Sequence, residues 1–263
     1  MTTTPSSSTA VPGKVYLVGA GPGAADLITV RGARLLAQAD VVLHDALVEP
    51  EMLALCPQAK RVPVGKRCGR HSSAQHFINK QLIDHARTHA LVVRLKGGDP
   101  MLFGRADEEL RALEAAGIDV EVVPGITAAL ASAATLGRSL TLRGVARSVA
   151  FATQSRAADS AQISAQASAD SLVYYMGRDA AQRIAAELIG LGKPRSTPVA
   201  IVEAATTARE RRARLSLGAL ADGHAAPWFD ASQPSVLLIG DVFADARADD
   251  IASPVAGLSR AAA

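Results

Sequence analysis

Val92–Glu109 reads V-V-R-L-K-G-G-D-P-M-L-F-G-R-A-D-E-E, and the order of residue types in it decides the fold. Leu91–Leu95 is a short apolar run, too brief for a helix and ended by glycines, which predicts a strand. Gly97 and Gly98 carry no Cβ, so a ligand can come close to main-chain N–H and C=O groups. Asp99-Pro100 predicts a turn, because Asp bonds its own downstream backbone and Pro fixes φ. Gly104 and Arg105 lead into a helix whose first turn holds Asp107, Glu108 and Glu109, which suits a positive helix N-terminus. Strand end, bare backbone and helix start coincide, where open α/β sheets place ligands. A turn kept for its geometry alone has no need of Lys96, Asp99 and Arg105 together.

The same grammar extends on both sides. Lys14–Val18 predicts a strand, Asp26–Ala39 a helix and Val41–Leu43 a second strand, a βαβ unit and hence a parallel sheet. Glu51–Leu55 predicts a short helix, Arg61–Val64 a strand, and Ser73–His89 an amphipathic helix with Phe77, Ile78, Leu82 and Ile83 inward. Gly117 is placed to cap the helix that ends at Ala116. Strand Val120–Val123 follows, then an Ala-rich helix, Thr127–Leu136, with Thr127 as its N-cap. Beyond it, Val149–Thr153, Leu172–Met176, Pro198–Val202 and Ser235–Ile239 predict strands, and Ala180–Leu191 a helix. Ala157–Asp170 is a low-complexity Ala/Ser/Gln segment. The predicted domains are 14–126 and 127–250, with disordered small-residue tails at 1–13 and 251–263.

Composition narrows the classes. A length of 263 residues with 49% hydrophobic residues allows one large domain or two small ones, with ample core. Aromatics at 3% argue against a protein that reads nucleic acid by base stacking. A net charge of +3 is compatible with an anionic substrate and weak for a duplex DNA binder. Cys56 and Cys68 match no metal spacing and no disulfide framework, which fits a reducing cytoplasm. No apolar run reaches the roughly 18 residues of a membrane span, and Met1–Gly13 lacks a secretory apolar core. No metal, membrane or nucleic-acid partner is expected.

Gly19-Ala20-Gly21-Pro22-Gly23-Ala24 satisfies G-x-G-x-x-[G/A] after a strand and before a helix. Asp45 closes the next strand, where a ribose-binding acid would sit. The pattern alone permits a dinucleotide oxidoreductase, or a tight turn with no ligand. Pro22 removes an N–H that a pyrophosphate would use, and that fold leaves Gly97-Gly98-Asp99 unexplained.

Seven motifs in order resemble the tetrapyrrole methylases. They are V-Y-L-V-G-A-G-P-G at Val15–Gly23, H-D-A-L-V at His44–Val48, V-G-K-R-C-G-R-H at Val64–His71 and R-L-K-G-G-D-P-M-L-F-G-R at Arg94–Arg105. V-P-G-I-T-A-A at Val123–Ala129, L-V-Y-Y-M-G at Leu172–Gly177 and P-V-A-I-V-E at Pro198–Glu203 complete the set. The resemblance implies an α/β fold of two domains, the class III methyltransferase fold. It would have a parallel N-terminal sheet, a mixed C-terminal sheet and a cleft between them. It implies a homodimer that binds S-adenosyl-L-methionine, releases S-adenosyl-L-homocysteine and methylates an anionic tetrapyrrole at carbon. Carried over by motif position, the cofactor meets Pro22, Gly97, Gly98, Asp99, Leu102, Thr127, Ala128, Met176 and Ala205. Asp45 and Lys66 take the proton-handling positions, with Arg105 a further catalytic candidate. Arg105, Glu108 and Arg143 take positions facing the tetrapyrrole.

The chain departs from the family pattern at several points. Ala204-Ala205-Thr206 stands where Asn-Gly-Thr is usual, so a Cβ appears at position 205. Leu142, Gln154-Ser155, Ala106 and His44 replace the usual His, Gly-His, Gly and Tyr. An acidic macrocycle calls for Arg and Lys, with Arg67, Arg70, Arg105 and Arg143 as candidates. Arg209–Arg214 is expected to be a solvated, partly paired face. Two other activities stay open: methylation of a later precorrin, and an RNA-directed methylase of similar fold.

Overall fold

The computed structural model describes residues 13–65, 71–153 and 168–251, without the side chains of 71–74. The chain forms two compact units, Met1–Thr127 and Ala128–Ala263.

The first unit holds a five-stranded sheet of β1 (Lys14–Gly19), β2 (Val41–His44), β3 (Lys60–Pro63), β4 (Leu91–Lys96) and β5 (Val120–Val123). Every pair is parallel and the order is β3-β2-β4-β1-β5. Parallel strands need both faces covered, which is why they read as continuous apolar runs. Helices α1 (Val30–Gln38) and α2 (Pro50–Leu53) bring Leu36 and Met52 onto Val18, Val42, Val93 and Leu95. Helices α3 (His71–Ala86) and α4 (Ala106–Ala115) bring Ile78, Leu82 and Leu113 onto Val15, Leu17 and Val92 on the other face. After β1 the chain turns toward β2, and after β4 it turns the other way toward β5. The C-terminal ends of β1 and β4 therefore flank the topological switch point, the usual ligand position of such sheets.

Two local expectations differ from what forms. The helix predicted over Asp26–Ala39 is broken into a 3-10 turn, Ala25–Leu27, and α1. Thr29 makes the break: its hydroxyl accepts from Gly32 N at 3.1 Å and caps α1. Phe77, expected inward, is 55% exposed. The inward stripe of α3 is Ile78, Leu82 and Ala86, at i, i+4 and i+8, and Phe77 lies about 100° around from it.

The second unit holds β6 (Val149–Thr153), β7 (Ser171–Tyr175), β8 (Pro198–Glu203), β9 (Arg211–Ser216), β10 (Ser235–Ile239) and β11 (Asp249–Asp250). The order is β11-β9-β8-β10-β7-β6, with β6·β7 and β9·β11 parallel and the other pairs antiparallel, so the sheet is mixed. Helix α5 (Ala128–Leu136) packs on one face through Ala129, Ala133 and Leu136. Helices α6 (Ala181–Gly190) and α7 (Leu217–Ala221) cover the other through Ile184, Leu188 and Leu220. Of the basic run 209–214, expected to be a solvated, partly paired face, residues 211–214 enter the sheet in β9. Ala213 supplies its fully buried position, while Arg211 pairs with Glu203 and Arg214 grips Asp250 through Nε and Nη2 at 2.6 and 3.0 Å.

Candidate active site

The glycine loop and the central turn are stitched together at the switch point. Ala20 N donates to Lys96 O at 2.7 Å, and Gly21 and Gly98 exchange N–H···O bonds at 3.2 and 2.7 Å. Asp99 Oδ1 accepts from Met101 N at 2.8 Å and Oδ2 from Gly125 N at 2.9 Å, so its carboxylate shapes the turn and ties it to the end of β5. Leu102 N closes on Asp99 O at 3.3 Å. Gly19, Gly98 and Gly125 meet backbone to backbone: a Cβ on Gly125 would lie 2.3 Å from Gly98 O. Gly97 differs, with no atom within 4 Å of where its Cβ would stand. Thr127 Cα sits 3.9 Å from a Cβ built on Gly98. Pro22, Gly97, Gly98, Asp99, Leu102 and Thr127 are thus gathered around one uncovered stretch of main chain. That is a cradle a Cβ would fill, and its composition fits a nucleoside cofactor held by backbone groups.

Behind the cradle lies a buried set of charges. Arg94 and Lys96, alternate residues of β4, point to the α3/α4 face and are 2% and 3% exposed. Arg94 Nε donates to Glu109 Oε1 at 3.0 Å, Nη1 to Leu95 O at 3.1 Å and Nη2 to Asp45 Oδ1 at 2.5 Å. Lys96 Nζ donates to Glu109 Oε2 at 2.9 Å, and Gln75 Nε2 to Glu109 Oε1 at 3.3 Å. Burial alone would loosen the Arg94 proton, yet Asp45 and Glu109 outweigh it and hold that proton more firmly than usual. Burial, with Arg94 alongside, pushes the Lys96 ammonium below the ordinary lysine value of 10.5 against the pull of Glu109. Between that lowered value and 10.5 the unfolded chain binds more protons at Lys96 than the folded chain does. The Lys96 contribution to stability therefore rises with pH across this interval. Denaturant titrations at stepped alkaline pH are expected to show the rise in the wild type and to lack it in Lys96→Met.

Asp45 stands just past the end of β2, its side chain 30% exposed, with Oδ2 making no bond to a described residue. Arg105 begins α4 in a left-handed conformation at φ 56° and grips Glu108 as a fork, Nε and Nη2 each at 2.7 Å from a carboxylate oxygen. Two of the three residues expected to face a tetrapyrrole, Arg105 and Glu108, are therefore paired with each other. Arg143 is exposed in the tight turn Leu142–Ala146 and makes no ion pair with a described residue. Lys66, Arg67, Arg70 and Gln154-Ser155 lie outside the described residues.

In the second unit, Tyr175 Oη accepts from Ala129 N at 3.0 Å, tying the start of α5, next to Ala128, to the end of β7, next to Met176. Ala205 is 6% exposed and its side chain lies in the core with Ala129 and Val202. Among the described residues, the non-glycine positions with positive φ are Phe103, Arg105, Met176, Ala204 and Thr206. Each is, or directly adjoins, a residue assigned by motif: Leu102, Arg105, Met176 and Ala205. Left-handed backbone costs roughly 1–2 kcal/mol per L-residue, and such strain collects at ligand sites.

Residues 14–221 match the family of tetrapyrrole (corrin/porphyrin) methylases. The chain belongs to that family. It is 46% identical over 235 residues to a uroporphyrinogen-III C-methyltransferase of Pseudomonas aeruginosa, covering 89% of this chain and 95% of that one. It is also 46% identical over 236 residues to a siroheme synthase of Tolumonas auensis, but spans only 50% of that longer protein. The crystal structure of a Thermus thermophilus uroporphyrin-III C-methyl transferase complexed with S-adenyl homocysteine superposes with a TM-score of 0.77 at 41% identity, covering 88% of this chain and 98% of that one. A cobalt precorrin-4 methyltransferase superposes with a TM-score of 0.75 at 29% identity, over 88% of this chain and 95% of that one. As expected from the motifs, the fold is that of a tetrapyrrole methylase, with a parallel first sheet and a mixed second one.

Arg94, Lys96, Glu109 and Gln75 carry no role in the motif-based assignment, and the structure joins them beneath Asp45. A signal was present. Two cations at i and i+2 in a strand otherwise made of Val and Leu put both on one buried face, which demands a buried acid opposite.

Proposed function

We propose that this chain transfers methyl groups from S-adenosyl-L-methionine to C2 and C7 of uroporphyrinogen III, giving precorrin-2 for sirohaem or cobalamin biosynthesis. The observation that carries the reading is the uncovered main chain at Gly97, in a chain 46% identical over 95% of the length of a uroporphyrinogen-III C-methyltransferase. When bound, the cofactor supplies a sulfonium methyl that is electrophilic without a metal. The protein's work is then placement, exclusion of water and proton handling. Gly97 offers backbone groups, with Gly98, Pro22, Asp99, Leu102 and Thr127 in the same unit; Ala128, Met176 and Ala205 are assigned to the cofactor by motif position alone. A pyrrole carbon becomes nucleophilic as a proton leaves the macrocycle, and the Asp45 oxygen that bonds no described residue is the candidate to receive it, with Lys66 the second by motif. Arg105 is read as a carboxylate-orienting group, because a guanidinium does not deprotonate at working pH. Its fork already fits a carboxylate, that of Glu108, and an incoming substrate carboxylate competes for or shares it. Arg143, exposed and without an ion pair to a described residue, supplies a second cation. The family resemblance further supports a cytoplasmic homodimer without a nucleic-acid partner.

The test is incubation of the purified chain with methyl-labelled cofactor and uroporphyrinogen III. Label is expected in the tetrapyrrole; label entering only a later precorrin overturns the reading. Arg105→Leu is expected to raise KM for the tetrapyrrole about 10- to 100-fold, the value of one charge-assisted contact, with cofactor Kd unchanged by calorimetry. Equal losses in both would contradict the separation of roles.

A further inference from the structure

We infer that Arg94 is a positioning residue for this methyl transfer, fixing the Asp45 carboxylate from beneath so that one of its oxygens is held and the other is left to the acceptor. The inference rests on the activity proposed above and adds a residue that the motif positions leave out.

Three observations carry it. First, Arg94 spends Nε, Nη1 and Nη2 on three acceptors in different directions, Glu109, Leu95 O and Asp45. A side chain 2% exposed and bonded three ways cannot swing without breaking buried bonds, so the point at which it meets Asp45 is fixed. Second, Asp45 gives only Oδ1 to that contact; among the described residues Oδ2 has no partner, on a side chain 30% exposed. Third, the bonds continue to the other half of the candidate site. Glu109 accepts from Gln75, Gln75 donates to Asn79 Oδ1 at 3.1 Å, and Asn79 donates to Glu108 O at 3.2 Å, in the turn that bears Arg105. The Lys96 stem runs beneath the same loop, its Cε 3.2 Å from a Cβ built on Gly104. One buried set of bonds thus registers Asp45 against the helix start that carries Arg105.

A purely architectural role explains this poorly. Apolar side chains of similar volume would join β4 to α3 and α4 at no lower stability, and frequently at higher. What charges add is direction, and Asp45 is where the direction ends. The guanidinium matters as a fork: a lysine keeps the positive charge but cannot hold Glu109, Leu95 O and Asp45 at fixed angles together.

The experiment is a double-mutant cycle on the full chain with Arg94→Lys, Asp45→Asn and both, reading kcat, tetrapyrrole KM and cofactor Kd. Arg94→Lys is expected to keep cofactor Kd and lose kcat about 10- to 100-fold, the usual effect of a reacting group misplaced by near 1 Å. The double variant is expected to be no slower than Asp45→Asn, because Arg94 has nothing left to position. Losses that multiply, or an Arg94→Lys chain with wild-type kcat, overturn the inference alone. A wild type that transfers no methyl group overturns it together with the activity it rests on. If Arg94→Lys does not fold, Asp45→Glu carries the test. It keeps the charge but moves it by one methylene against a fixed Arg94, so its kcat is expected to fall as in Asp45→Asn. Wild-type kcat there overturns the inference.

Discussion

Glu109→Gln is expected to cost about 3–5 kcal/mol of folding stability, measured by denaturant titration at neutral pH. The side chain is fully buried in α4 and is the acid shared by Arg94 and Lys96. With Glu109 present, two cations meet two acids, counting Asp45. With Gln, two buried cations share one partly exposed acid, and removing one partner of a buried pair leaves charge that water cannot reach. Gln keeps the volume and can still accept one hydrogen bond, so the loss reports charge rather than a cavity. The pH dependence follows. Burial already lowers the Lys96 ammonium, and without Glu109 nothing on α4 opposes that shift, so the variant recovers part of its deficit as pH rises and Lys96 sheds its proton. Lys96→Met added to Glu109→Gln should restore stability for the same reason. The contrast is Arg111→Ala, which breaks a pair with side chains 77% and 72% exposed and should cost no more than about 1 kcal/mol. Equal losses at both sites would mean the buried charges are better hydrated than their exposure indicates.

The sequence announces the strands of the first sheet because parallel strands buried on both faces leave unbroken apolar runs. Leu91–Leu95 and Val120–Val123 are legible for that reason. Strand order is not written locally: β4 lies between β1 and β2 through pairings up to about eighty residues apart. Strand β9 hides because Arg211, Arg212 and Arg214 mask the alternation, and only Ala213 is fully buried. Thr29 conceals a helix break because a hydroxyl reads as an ordinary polar position until it caps. The turn at Asp99 is legible, whereas the bond from Gly125 N to its Oδ2 joins residues 26 apart in sequence. Burial of Arg94, Lys96 and Glu109 depends on three elements closing on one another, and no short window contains that.

Two glycines of the cradle should fail in opposite ways. Gly125→Ala is expected to destabilise the fold by about 3 kcal/mol or more, toward the upper end for overpacking. The new Cβ would stand 2.3 Å from Gly98 O and 2.8 Å from Gly19 Cα, and both are backbone atoms locked in the β1–β4 junction. Neither can retreat without breaking the Gly21–Gly98 exchange and the bond from Gly125 N to Asp99. Gly97→Ala meets no atom within 4 Å, and Gly97 is not among the glycines with positive φ. Its stability should stay within about 0.5 kcal/mol of wild type. What that Cβ would fill is the open space where the proposed site puts the nucleoside, so cofactor Kd is expected to rise about 10- to 100-fold, worth about 1.4 to 2.7 kcal/mol of binding. Calorimetry with S-adenosyl-L-homocysteine and thermal unfolding separate the two outcomes. A Gly97→Ala chain that binds as tightly as wild type would place the cofactor elsewhere, because among the described residues no atom beyond the chain neighbours lies within 4 Å of the new Cβ.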